Sequence, residues 1–151
     1  MKHIYFKKGF LILSMNKIGI GIDLIVLRDN KVLLGKVSEK WKTPNGEWGL
    51  PGGDVNFGET FRQTIERNLE KELGLKLKSF KIISINSNFW LDNHYISIGI
   101  LVDVKGKEKL KNKEDWEEWK WFEFKKLPEK LCQPAKLTLK SFLEKKISVS
   151  K

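Results

Sequence analysis

The stretch LPGGDVNFGETFRQTIERNLEKELGL, residues 50–75, changes its hydrophobic period halfway along. Its first part continues WGLPGGDV, a short strand broken by two glycines. Its second part is a helix: Thr60 can cap it with Gln63 three residues on, and Phe61, Ile65, Leu69 and Leu73 recur on one face. Gly74 supplies the stop. Glu59, Glu66, Glu70 and Glu72 surround this turn and helix with carboxylates, the setting in which a divalent metal meets phosphate. Asn68 and Lys71 interrupt that acidic pattern. At 100° per residue Asn68 and Glu72 lie one turn apart, with Lys71 beside them, so all three face one place.

Upstream, IGIGIDLIVL (18–27) and KVLLGKV (31–37) are β-rich runs joined by RDN, which predicts a hairpin. A polar loop with Pro44 and an Asn45-Gly46 turn leads to the quoted stretch. Downstream, LKLKSFKIISINSNFW and HYISIGILVDV are joined through LDN as an antiparallel pair. Residues 105–118 read as a charged loop before the aromatic strand WKWFEF. A last helix is expected at about Pro134 to Lys146, with Leu137, Phe142 and Leu143 on its apolar side. Strands, helix, strands, helix in this order predict a mixed α/β sheet with helices packed on it, with no internal repeat.

The chain has 151 residues, 40% of them hydrophobic, enough for one domain core. We read residues 1–17 as an N-terminal arm or extension and 18–151 as the domain. The run MKHIYFKKGFLILS has the outline of a signal peptide, but its apolar part is short, Lys7 and Lys8 press against it, and no cleavage site follows. No run reaches the roughly 20 apolar residues of a membrane span. The single cysteine, Cys132, excludes an intrachain disulfide and fits a reducing, cytoplasmic setting. A net charge of +10 favours polyanionic partners, nucleotides or RNA among them.

Gly53, Glu59, Arg67, Leu69, Glu72, Gly74 and Leu75 fall at the spacings of the Nudix box, and WGLPGG before it and WKWFEFKKLP after it extend the match. From about Ile18 onward the chain resembles the Nudix hydrolase superfamily, and looks most like its small MutT-like nucleoside-triphosphate diphosphatases. The resemblance implies the Nudix fold, a mixed β-sheet sandwiched between helices. It also implies Mg²⁺- or Mn²⁺-dependent cleavage of a nucleoside triphosphate, or of a related nucleoside diphosphate linked to another group, to a monophosphate. Two positions depart from the box: Asn68 and Lys71 stand where the family has glutamates.

On this resemblance Glu72 binds metal, Arg67 orients the glutamates through an ion pair, and Glu59 steadies the loop. Gly53, through its carbonyl, and Asn68, through its amide oxygen, join Glu72 as expected ligands. Lys36 and Lys71 would face phosphate, Asp54 and the segment 131–134 would border the base, and His94 would mark the pocket wall. Phe89, Trp90, Tyr95 and Trp116 are the stacking candidates. The Lys71 ammonium replaces the charge of a lost metal ion, or repels the remaining one by roughly 4 kcal/mol at about 4 Å and an effective dielectric of about 20, or bends away to solvent. Alternative readings are a catalytically silent nucleotide- or RNA-binding module and a GDP-sugar hydrolase. The latter uses a histidine in a later loop, where this chain has Glu114, Asp115, Glu117 and Glu118 instead. A homodimer is also expected, because relatives commonly form one.

Overall fold

The computed structural model describes residues 3–7, 10–14, 17–43 and 46–149, with side chains from residue 17 onward. Strands β1 (His3–Lys7) and β2 (Phe10–Ser14) pair antiparallel as a separate two-stranded ribbon. The rest forms β3 (Gly19–Arg28), β4 (Lys31–Val37), β5 (Trp48–Gly49), β6 (Gly52–Asp54), α1 (Phe61–Leu73), β7 (Lys76–Trp90), β8 (Asn93–Lys105), β9 (Trp116–Glu123) and α2 (Gln133–Glu144). The seven-stranded sheet runs β5-β4-β3-β8-β7, with β6 added to β3 and β9 to β4. Among the described strands of this sheet β3 and β8 pair in parallel and the other pairs are antiparallel, so the sheet is mixed.

Strand alternation distributes β3 between two cores. Ile22, Leu24 and Val26 face α1 and pack with Ile65, Leu69, Leu73, Ile98 and Ile100. Ile25 faces the opposite side, where Val32, Leu34, Leu50, Ala135 and Leu139 close a second core under α2. Burial of each such Leu or Ile is worth about 1.5–3 kcal/mol, which fixes the helices to opposite faces.

Helix α1 begins where the sequence places it. Thr60 accepts from the Gln63 N–H while the Gln63 side chain accepts from the Thr60 N–H, and Gly74 ends the helix at φ 67°. Four expectations need correction. The 18–27/31–37 hairpin pairs only at Leu27–Val32 and Arg28–Lys31, because β3 then joins β8 and β6 while β4 joins β9 and β5. WGLPGGDV breaks at Leu50-Pro51 rather than at its glycines: Pro51 brings no N–H, and β5 and β6 serve different partners. Strand β9 starts at Trp116, inside the expected loop, because Trp116 and Glu118 pair with Val37 and Lys36. Leu143 is exposed, and α2 buries Thr138 and Ser141 instead, which meet polar residues of the sheet. The Pro44-Asn45 part of the predicted turn lies outside the described residues. Among the described residues no helix is long and apolar enough to cross a membrane.

Candidate active site

A cavity of about 430 Å³ opens between α1, the β6 turn and the N-terminal end of α2. Arg67, Asn68, Lys71 and Glu72 line one end, with Gly52, Gly53 and Asp54. They meet there because α1 turns its polar stripe toward β6 while Ile65, Leu69 and Leu73 fill the core.

Glu72 is almost fully buried. Its Oε2 accepts from the Gly52 N–H at 3.0 Å and its Oε1 from the Trp116 indole N–H at 3.0 Å. Burial pushes its carboxyl up to about 7, against the lowering effect of these two donors and of Lys71. Asn68, 3% exposed, donates to the Thr64 carbonyl at 2.9 Å. Its Oδ1 faces Gly53, where an added Cβ would lie 2.6 Å away. Glycine at 53 is therefore what lets the strand pass so close to the helix.

The two glycines point differently. Leu24 N–H donates to the Pro51 carbonyl and Val55 N–H to the Ile20 carbonyl, and Ile22 and Gly53 are register partners between them. Ladder alternation turns the backbone of Gly53 toward β3 and that of Gly52 toward α1, where it meets Glu72. At Gly52 an added Cβ would stand 1.9 Å from the Ile22 carbonyl oxygen.

Arg67 ties the loop to the helix. It donates to both Glu59 oxygens, at 2.6 and 2.8 Å, and to the Asp54 carbonyl at 2.8 Å. Glu59 also accepts from the Asn56 N–H and the Thr64 hydroxyl. The Arg67 bond leads the effects that hold the Glu59 carboxyl down to about 2, so it is a fixed anion at neutral pH.

From the late loop, Asp115 lines the cavity, accepting from Asn112 at 2.7 Å, Trp41 at 3.0 Å and Lys40 at 3.0 Å. Burial alone would raise its carboxyl, but these donors keep it below the usual range. Glu114 and Glu117 are held by Lys40 and Lys36 instead. The Lys36–Glu117 pair, at 2.8 Å, keeps Lys36 off the cavity lining. His94 lies on the other sheet face, because β8 alternation gives the cavity Tyr95 and Ser97. Its ring stacks on Phe89 at 4.6 Å, and its Nε2 meets the Ser87 hydroxyl. Trp41, Trp90, Tyr95 and Trp116 line the cavity, as do Cys132 and Pro134 at the start of α2.

Sequence reading missed Asp23, Trp41 and Ser97. Each comes from a separate strand or loop, and no local pattern marks them. The one available signal is the acidic Asp23 within the apolar run IGIGIDLIVL.

Among the described residues no three His, Cys, Asp or Glu side chains gather as a metal cage. The donor set fits a single hard cation that arrives with phosphate: one buried carboxylate, Glu72, and the neutral amide oxygen of Asn68 beside it.

The NUDIX domain model matches residues 17–144. An ADP-ribose pyrophosphatase of Methanocaldococcus jannaschii is 35% identical over 72% of this chain and 64% of its own length. An NAD-capped RNA hydrolase NudC of Haemophilus influenzae is 26% identical over 72% of this chain and 40% of its own length. The chain thus spans under two thirds of either relative. A MutT NUDIX hydrolase structure from Burkholderia pseudomallei superposes with a TM-score of 0.74 at 25% identity, covering 82% of this chain and 97% of that one. The E. coli ORF135 protein shares the fold, with a TM-score of 0.68 at 21% identity over 85% and 90% of the two chains.

Proposed function

The chain belongs to the NUDIX domain family, and from that premise we propose that it hydrolyses a phosphoanhydride bond in a nucleoside diphosphate linked to a further group, or in a nucleoside triphosphate, releasing a nucleoside monophosphate. The observation that carries this reading is the continuity of the cavity. One lining combines phosphate-compatible groups with the aromatic rings of Trp41, Trp90 and Tyr95. The names of the relatives, an ADP-ribose pyrophosphatase and an NAD-capped RNA hydrolase, support a substrate of this class. An RNA 5′ end is one such further group, favoured by the net charge of +10.

A divalent ion, Mg²⁺ or Mn²⁺, would be held by Glu72 and Asn68 together with substrate phosphate oxygens; it would neutralise phosphate charge and activate water. Lys71, at the cavity wall, supplies an ammonium to the phosphates where a second ion would need a carboxylate. Arg67, locked between Glu59 and the Asp54 carbonyl, holds the loop that carries Gly52 and Gly53 against α1. Asp115, on the same lining and close enough to act on the charge of Glu72, supplies a second carboxylate to orient the attacking water. Water oxygen bonds to phosphorus and gives up one proton to solvent, while the bridging P–O bond breaks and the departing phosphate oxygen carries the electron pair away.

A second reading, nucleotide binding without turnover, draws on the fact that both Glu72 oxygens are already engaged by N–H donors. One assay separates the two. The protein is incubated with Mg²⁺ or Mn²⁺ and a panel of ADP-ribose, NTPs, dNTPs, nucleotide sugars and 5′-capped RNA, with Glu72→Gln as control. Monophosphate release by the parent and none by the variant supports hydrolysis. Binding without release by either supports the second reading.

The buried, unpaired Cys132 fits residence in a reducing cytoplasm. Exposed Ile82 and Ile85 on the edge strand β7 support a homodimer contact, which light scattering would test.

A further inference from the structure

The cavity has a polar stretch of lining, Asp23 and Ser97, that the phosphate chemistry does not use. Alternation along β3 puts Asp23 on the α2 side, between the core residues Ile22 and Leu24 of the other face. Its register partners are Gly52 on β6 and Gly99 on β8, so no side chain stands beside it on either neighbouring strand. The fully buried Thr138 of α2 donates its hydroxyl to Asp23 Oδ2 at 2.9 Å. Asp23 Oδ1 has no partner among the described residues and borders the cavity.

Ser97 lies on β8 beside this carboxylate, opposite Gly21, whose missing side chain keeps the floor open. Beneath it, Asn88 is 0% exposed and donates from Nδ2 to the Ser97 Oγ at 2.7 Å. That bond occupies a lone pair of the hydroxyl and leaves its proton without a partner among the described residues. The floor therefore presents one acceptor, Asp23 Oδ1, and one donor, the Ser97 O–H, with Tyr95 and Trp90 as walls.

We propose that Asp23 and Ser97 read the base of the nucleotide, selecting one whose edge carries an amino group beside an unprotonated ring nitrogen, as adenine does. This rests on the nucleotide reading of the cavity. The amino group donates to Asp23 and the ring nitrogen accepts from Ser97. Hypoxanthine and uracil offer an oxo group beside a ring N–H, the reverse order. With the ribose direction set by the phosphate end, the oxo group then faces the carboxylate. A buried carboxylate left against an acceptor loses its hydrogen bond and its desolvation is uncompensated.

The test is calorimetric titration of the full chain with AMP and with IMP in the absence of metal, which needs no turnover. The parent binds AMP at least about tenfold more tightly than IMP, the worth of one misplaced buried hydrogen bond. In Asp23→Asn the amide oxygen takes the Thr138 proton and the NH₂ group faces the ligand, so the preference falls to unity or reverses. Ser97→Ala, which leaves the carboxylate in place, weakens AMP several-fold and keeps AMP ahead. Equal affinities in the parent overturn the proposal, as does an unchanged ratio in Asp23→Asn. If that variant does not fold, an AMP affinity unmoved by Ser97→Ala overturns it instead. AMP preference without hydrolysis of any substrate defeats only the hydrolase reading, hydrolysis with no preference defeats only this one, and binding of neither nucleotide defeats this one.

Discussion

The two ends of the cavity are built by different means. The phosphate end comes almost entirely from one run of sequence: Gly52 and Gly53 on the turn, then Arg67, Asn68, Lys71 and Glu72 at helical spacing. The proposed base-reading pair, Asp23 and Ser97, with Thr138 bonded behind Asp23, comes from β3, β8 and α2 and meets because β3 and β8 pair in parallel under α2. Short-range geometry dictates the first, and long-range strand pairing dictates the second.

The comparison breaks most visibly at Glu72. Glu72→Gln removes the buried carboxyl beside Asn68 and Lys71, and steady-state kinetics should show kcat falling about a thousandfold, roughly 4 kcal/mol of barrier. The order of preference among bases should stay as in the parent, because that order is set at the other end.

Gly52→Ala attacks the seam between the ends. The new Cβ meets the Ile22 carbonyl oxygen, and the strand register that places both Glu72 and Asp23 must give way. Urea denaturation should report a loss of about 3 kcal/mol or more.

Asp23→Asn sharpens the comparison in the opposite direction. Burial pushes the Asp23 carboxyl up from its ordinary 3.8 to about 6, so the folded chain holds this proton more tightly than the unfolded one. The favourable contribution of the protonated form is complete below pH 3.8 and is lost as pH rises to about 6. Above that the buried carboxylate costs about 3 kcal/mol. The variant lacks this cost. Its stability should match the parent near pH 3.8 and exceed it by up to about 3 kcal/mol at pH 8, while base selection is lost. A residue that weakens the fold in order to recognise a ligand behaves in this way.

Trp116→Phe is the smallest of these changes. It leaves Glu72 Oε1 without its indole donor and should cost about 2 kcal/mol in thermal or urea unfolding.

Legibility in the sequence followed the same division. Helix α1 was readable with both caps, because Thr60, Gln63 and Gly74 act within a few residues of themselves. The Arg67–Glu59 pair is likewise a contact within one turn and its loop. The separation of β3 from β4 after two residue pairs was not readable, since both strands are equally apolar and the choice of partner is tertiary. The side of the sheet on which His94 and Tyr95 emerge depends on a register that sequence alone leaves open by one residue. Lys36 illustrates a different difficulty. Its position near the end of β4 was clear, but its partner Glu117 sits on a strand whose start lay inside the expected loop.

The central claim is that Glu72 serves turnover at one end while nucleotide recognition persists at the other. It is met most directly by measuring kcat with Mg²⁺, and AMP affinity without metal, for the parent and for Glu72→Gln. Turnover of a nucleoside diphosphate-linked substrate should be lost in the variant while the AMP affinity stays within about twofold, since Glu72 is not one of the two base-reading residues. Turnover equal to the parent's, or AMP affinity lost together with turnover, would contradict it.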